Sequence, residues 1–322
     1  MERNIGSYET RQVMLPSARC ETVLVTGSSG TLGMPLCCSL AEHGYKVIAV
    51  DKNKPVDLPE TIAFHQADIN DLGSLAPAFA SVDVVVHTAA LHGYHLPYYS
   101  PDTFFTNNVR GVFNVLTACL QQRVQKMIFT SSTSVYGASA DPIDDQASWL
   151  DESTPLRWRE VDIYDATKVL GEELCEQHAH EHNMEIIALR TTRFFYDDYL
   201  SYNIRKLYRG IDLRDVVQAH RLAVATSLGK GYHVYNIVAK SPFQRSDAAE
   251  LVANARVVIE RYYPGVTEFF AYRNWELPKS IGRVYDITKS ERELDFLPRY
   301  NFDEFLHEIQ TNVSAYQRRR TS

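Results

Sequence analysis

Thr22-Val23-Leu24-Val25-Thr26-Gly27-Ser28-Ser29-Gly30-Thr31-Leu32-Gly33 is the stretch on which the reading of this chain turns. Its apolar and β-branched start predicts a strand covered on both faces. Three glycines spaced by three then lead into a helical pattern. Gly27 permits a tight turn, Gly30 lets the backbone approach a diphosphate, and Gly33 lets the helix pack closely on the sheet. The open N–H groups and positive end of that helix favour an anion. Gly27, Ser29, Gly30, Thr31, Leu32 and Gly33 are therefore the expected phosphate cradle.

The same alternation continues outward. Runs at Lys46–Val50, Ile62–His65, Val82–His87, Lys126–Thr130 and Glu185–Leu189 are each followed by helical spacing. This predicts an α/β chain of Rossmann type, a doubly wound parallel sheet with right-handed crossovers. After Arg190 the pattern loosens into a helix at Arg214–Leu228, a strand at His233–Val238, a helix at Asp247–Ile259, a closing helix at Phe302–Ala315 and a frayed basic tail, Arg318–Arg320. The expected organisation is an N-terminal arm over 1–20, a dinucleotide-binding type of unit over 21–190 that opens with the glycine turn, and a mixed region over 191–322. That last region completes the sheet and adds a smaller C-terminal substrate lobe.

Composition excludes several classes. The 322 residues are 45% hydrophobic, enough for a sizeable core, and the formal charge of −7 argues against a nucleic-acid surface. No apolar run is long enough to span a bilayer, and Met1–Cys20 lacks the apolar centre of a secretory signal. Five cysteines without a CxxC spacing point to reduced thiols and a cytoplasmic location. His178 and His182 lack an obvious third ligand and read as surface residues, so no metal is expected.

The second strand ends at Asp51. A carboxylate there can accept hydrogen bonds from adenosine ribose hydroxyls and repels a 2′-phosphate, which favours NAD over NADP. Lys52 and Lys54 soften that preference and leave NADP possible. Downstream, Tyr164-Asp165-Ala166-Thr167-Lys168 puts a phenol and an ammonium one helical turn apart on one face. A nearby ammonium stabilises a phenolate, so this tyrosine can exchange a proton with a carbinol oxygen. Thr130-Ser131-Ser132-Thr133-Ser134-Val135-Tyr136-Gly137 follows the strand Lys126–Thr130, where hydroxyls at a strand's carboxyl end face the ligand crevice.

Taken together, these motifs resemble the extended short-chain dehydrogenases/reductases, the NAD-dependent epimerase/dehydratase family. Ala67-Asp68-Ile69, His87-Thr88-Ala89-Ala90 and Asn108 with Gly111 belong to the same set. The resemblance implies that Asp68 and Ile69 lie against the adenine and that Ala89, Ala90 and Asn108 belong to the cofactor site. It implies that Ser132 holds the substrate oxygen and that Tyr164 is the acid/base. Lys168 is then expected to bind the nicotinamide ribose and depress the Tyr164 pKa. A homodimer pairing through about Thr103–Leu120 and Tyr164–His182 is also implied.

The chain departs from the family's nucleotide-sugar enzymes between Leu189 and Val216, where little sequence remains for a nucleotide-binding lobe. The compact form is more similar to uronate dehydrogenases. Arg193 stands where the nucleotide-sugar enzymes commonly have Asn and can grip a carboxylate or phosphate. The expected substrate is a small sugar-like molecule or hydroxy acid, with Arg193, Thr133, His92 and His95 as substrate contacts and Arg283 and Trp275 closing the pocket. Two rivals stay open: a nucleotide-sugar epimerase or dehydratase, and a non-catalytic NAD(P)-sensing protein. Thr133 and Ser134, where dehydratases carry acids, count against dehydration. Retention of Tyr164 and Lys168 counts against a mere sensor.

Overall fold

The computed structural model describes residues 21–159, 162–195 and 198–320, with side chains described as far as Thr311; the expected arm, Met1–Cys20, lies outside them. Seven strands form one parallel sheet: β1 (Thr22–Thr26), β2 (Lys46–Asp51), β3 (Ala63–Gln66), β4 (Val84–His87), β5 (Lys126–Ser132), β7 (Glu185–Thr191) and β8 (Gly231–Ile237), in the order β3-β2-β1-β4-β5-β7-β8. The order reverses between β1 and β4, and the crevice above their carboxyl ends is where ligands bind in such sheets.

Each central strand feeds two cores by simple alternation. Val23, Val25, Val84, Val86, Ile187 and Leu189 pack beneath α1 (Gly33–Glu42) and α7 (Leu213–Ala225). Leu24, Val85, Met127, Phe129, Ile186 and Ala188 face the other way, under α4 (Gly111–Gln122) and α5 (Ile163–His182). β1, β4 and β7 are buried at every position, so their centres run apolar, with polar residues confined to the strand ends. A short α2 (Leu72–Leu75) lies on the α4 side, and α3 (Pro101–Phe105) runs through a π turn, Thr106–Arg110, into α4.

The second lobe has its own apolar centre, built from Leu251, Val258, Phe270, Phe302 and Phe305. It is assembled by α6 (Tyr199–Arg205), α8 (Ala248–Tyr262), α9 (Val266–Tyr272) and α11 (Phe302–Arg320), while α10 (Thr288–Leu294) returns to the main body. Two short strands, β6 (Ser148–Leu150) and β9 (Arg283–Tyr285), pair in parallel as a separate sheet. The expected helices at Arg214–Leu228 and Asp247–Ile259 form within a few residues of those bounds. The closing helix runs past Ala315 to Arg320, because no glycine or proline follows Phe302 to stop it.

Beneath the carboxyl ends of β5 and β7 lies a buried polar knot. The Arg190 guanidinium on β7 grips Glu172 of α5 through Nε and Nη2, at 3.0 and 2.7 Å, and donates through Nη1 to the Tyr136 hydroxyl at 3.0 Å. Ser131 of β5 donates to Glu172, and Tyr136 donates to Asn236 of β8 at 2.7 Å. Burial opposes the charged guanidinium, but the Glu172 bonds outweigh it and hold the Arg190 pKa above its usual value. Removing one member of such a pair strands the other charge. Glu172→Leu is expected to cost about 3–5 kcal/mol, read as a lower urea midpoint. A loss below 1 kcal/mol would show that the knot is not holding the sheet together.

Candidate active site

The glycine turn is set by close approach. Gly27 has φ +71°, and a Cβ there would come within 2.6 Å of the Ala89 nitrogen; a Cβ on Gly33 would sit 2.1 Å from the Gly27 carbonyl oxygen. No side chain caps α1 at Leu32; in its first turn the Met34 N–H donates to the Gly30 carbonyl at 3.3 Å and Pro35 carries no N–H, so the attraction for an anion rests on the positive end of the helix and the close approach the glycines allow. Gly27, Gly30, Asp51, Asp68, Ile69, Ala89 and Ala90 line one crevice of about 210 Å³. Asp51 accepts from the Ser29 backbone N–H at 3.1 Å, so Ser29 acts by steadying the carboxylate. Lys52 lines the same crevice. Asn108 stands outside this lining. Its side chain clamps Leu91, donating to the carbonyl at 2.7 Å and accepting from the N–H at 2.8 Å, and its neighbour Asn107 faces the crevice instead.

Thr31, Leu32 and Gly33 line the adjoining space of about 250 Å³, together with Lys168 and Tyr164. Asp162 caps α5 by accepting from the Tyr164 N–H at 3.0 Å, which fixes the helix start and the tyrosine with it. One turn on, the Lys168 ammonium donates to the Thr130 carbonyl at 2.8 Å and lies 5.1 Å from the Phe129 ring centre. Burial pulls the Lys168 pKa down to about 8, with Cys175 and Glu172 opposing. Burial also pushes the Tyr164 phenol up to about 12; the Ser132 hydroxyl beside it lowers it, while Asp165 and Asp162 raise it further. The depressed phenol expected from Lys168 therefore does not describe the free protein, because the ammonium is hooked to β5.

Across Tyr164 from the glycine turn is a third cavity of about 290 Å³. Ser132, Thr133, His92 and Arg193, all named from sequence, line it beside Tyr164, and Arg283 joins them. His95 lines the glycine-turn side only. Trp275 does not reach either space; its ring stacks on Phe305 and edges onto Phe270 in the second lobe. His178 is half-buried and His182 exposed, with ring centres 4.3 Å apart. Among the described residues no group of three His, Cys, Asp or Glu is set to hold a metal.

Sequence reading missed much of this cavity. Arg159, Arg209, Asp162, Asp165, Tyr285 and Phe195 also line it. Four arginines thus face two aspartates, within a chain of net charge −7. Arg159 is paired with Asp141, which also lies 3.9 Å from Arg283. Asp165 is 5% exposed. Burial, then Asp162, raises its pKa to about 6, with Ser134, Arg159 and Arg283 pulling the other way. Its signal was available: it adjoins Tyr164, at a helix position where an apolar residue would pack.

Comparison with known proteins adds three findings. A model described as the NAD dependent epimerase/dehydratase family matches residues 23–195. Short-chain dehydrogenase/reductase family 42E member 1 of Xenopus laevis is 34% identical over 155 residues, covering 47% of this chain but only 39% of that protein. Among solved structures, a UDP-galactose 4-epimerase superposes with a TM-score of 0.63 at 24% identity, covering 87% of this chain and 94% of its own. A mutated uronate dehydrogenase gives 0.63 at 17%, covering 90% and 86%. The equal scores at low identity speak for a shared fold and do not separate the two chemistries.

Asp165 yields a pH test with a definite sign. A carboxyl raised on folding binds its proton more tightly in the folded state, so its charge costs stability once pH rises past both the unfolded and folded values. Asp165→Asn is expected to be more stable than the parent at pH 7.5, with the gap shrinking as pH falls from about 6 towards 4, as read from urea midpoints across that range. A gap that does not change with pH would contradict the burial assigned to this carboxylate.

Proposed function

This chain belongs to the NAD dependent epimerase/dehydratase family, and from that premise we propose that it is an NAD-dependent enzyme acting on a secondary hydroxyl of a small, anionic, sugar-like or hydroxy-acid substrate. The observation that carries the reading is the cavity in which Ser132 and Tyr164 share their walls with Arg159, Arg193, Arg209 and Arg283. Guanidinium groups favour a carboxylate by charge and by forked geometry.

NAD suits the residues present. Two glycines leave no room for a Cβ, the first turn of α1 is uncapped, and Asp51 faces the adenosine crevice. Gly27–Gly33 would hold the diphosphate, Asp51 the ribose, Asp68 and Ile69 the adenine. Lys168 keeps two donors beyond its bond to Thr130, which suit the second ribose. When bound, the nicotinamide supplies the two-electron acceptor or donor for a carbinol carbon. In this reading Ser132 holds the substrate oxygen and Tyr164 exchanges its proton. Burial keeps the free phenol protonated, so Tyr164 starts as a donor and acts as a base only when positive charge is brought close to it.

The assembly and location follow the same reading. Phe105, Phe113 and Leu120 stand exposed along the α3–α4 rod, and Leu170 on α5, which supports a homodimer through these helices. Phe113→Asp is expected to halve the mass seen by light scattering; an unchanged mass would place the contact elsewhere. Cys37, Cys38, Cys119 and Cys175 are all free thiols, and no described helix is long and apolar enough to cross a membrane. Both support a cytoplasmic enzyme.

The test is a panel of uronic acids, hydroxy acids, neutral sugars and UDP-sugars, followed by NADH absorbance with NAD and NADP in parallel. Net NADH from an acid is expected, with Tyr164→Phe slower by at least about 100-fold. Isomerised UDP-sugar without NADH would replace this reading with that of a nucleotide-sugar epimerase. NAD binding without turnover of any compound would favour the non-catalytic sensor.

A further inference from the structure

The loop between β4 and α3 carries two histidines whose ring nitrogens are constrained by the backbone. The Tyr94 N–H donates to His92 Nδ1 at 3.2 Å, and the His92 N–H donates to His95 Nδ1 at 3.1 Å. A nitrogen that accepts from a backbone N–H carries no proton of its own, so both rings are neutral and protonated at Nε2 while these bonds last. Among the described residues, nothing accepts from His92 Nε2.

His92 stands where the two spaces meet. It lines both the glycine-turn cavity that contains Lys168 and the cavity that contains Ser132 and the arginines. Its ring stacks on Phe195, centroids 4.2 Å apart, which bridges the β4–α3 loop to the segment following β7. The adjoining Gly93 lies beside Tyr164: a Cβ there would stand 3.6 Å from the phenol ring, in ordinary contact. The junction roofed by His92 and Phe195 is thus also the place where the Tyr164 ring is held.

We propose that His92 is a substrate-contacting donor of fixed tautomer, presenting Nε2–H to an oxygen of the substrate at this junction, with the Tyr94 N–H holding that tautomer through His92 Nδ1 and His95 bracing the loop by accepting from the His92 backbone N–H. The inference rests on the cavity being the substrate site. It separates His92 from an acid/base role, because a ring that cannot gain a proton on Nδ1 without losing its backbone bond does not shuttle protons. The charged groups around it act in the same sense. Burial, His95, Lys168 of α5 and Arg193 after β7 together lower the His92 pKa to about 4. Tyr164, which packs beside it from α5, stays neutral.

Nitrogen-15 histidine spectra of the full chain, without substrate, are the first measurement. His92 and His95 are expected to show the Nε2–H tautomer, and His92 no titration between pH 5 and 8. An Nδ1–H pattern, or a His92 midpoint above pH 5, would overturn the proposal whatever the enzyme acts on. The second measurement uses whichever acid of the panel gives NADH. Asn at position 92 can still accept from the Tyr94 N–H, whereas Gln places a donor near the Nε2 position. His92→Asn is expected to lose about tenfold in kcat/KM and His92→Gln to stay within about threefold. Both variants are expected to keep the NAD affinity of the parent, measured by quenching of intrinsic fluorescence. Equal losses in the two variants, or none in His92→Asn, would reject the donor role. A parent that neither binds NAD nor turns over any acid would sink the functional reading while leaving the tautomer result standing.

Discussion

The buried pair of Glu172 and Arg190 is the constraint on which the rest of the structure leans. It joins α5 to β7, takes in Ser131 of β5, and reaches through Tyr136 to Asn236 on β8. Asn236 in turn donates to the carbonyls of Leu150 and Asp286, at the ends of β6 and β9. One charged knot therefore registers the main sheet against the small one. Such a pair brings little net stability against an apolar replacement, but it tolerates few alternative arrangements. Ser132 and Lys168 extend from the two elements it locks together, β5 and α5.

That dependence explains what was legible in the sequence. Strands of the main sheet announce themselves because both faces are covered, so β1 and β4 read as unbroken apolar runs. The glycine turn was equally plain, since Gly27 and Gly33 must lack a Cβ for local reasons. β6 and β9 were invisible: three residues each offer too little alternation to register, and their pairing is fixed by the knot. The substrate-side wall was lost with them. Arg159 and Arg209 come from a loop and from the turn that follows α6, while Arg283, which the sequence did offer, sits on a three-residue strand. No spacing rule links them, and only the fold sets them around one space. At Asn108 the motif position was legible, but that its side chain braces Leu91 was not.

The cavity's electrostatics follow from burying ionisable groups together. Desolvation is the leading cause for four of the groups in and beside it, raising Tyr164 and Asp165 and lowering Lys168 and His92. Such groups cost stability in the free protein and mark places where a ligand's charge can repay part of that cost. The cofactor side shows no comparable crowding: it offers the glycine turn at the positive end of α1 and one carboxylate at Asp51.

Gly137 carries a consequence for how this architecture can diversify. Its φ is +46°, and a side-chain carbon there would overlap the Arg157 carbonyl, the same oxygen that accepts from the Ala138 N–H at 2.7 Å. Two residues beyond Arg157 stands Arg159, on the rim of the arginine-lined space. The hydroxyl-bearing turn after β5 and the rim loop thus move as one mechanical piece, hinged where no side chain fits. Losing the glycine would displace the rim and the Ser132 turn in a single step, and leave the dinucleotide crevice untouched.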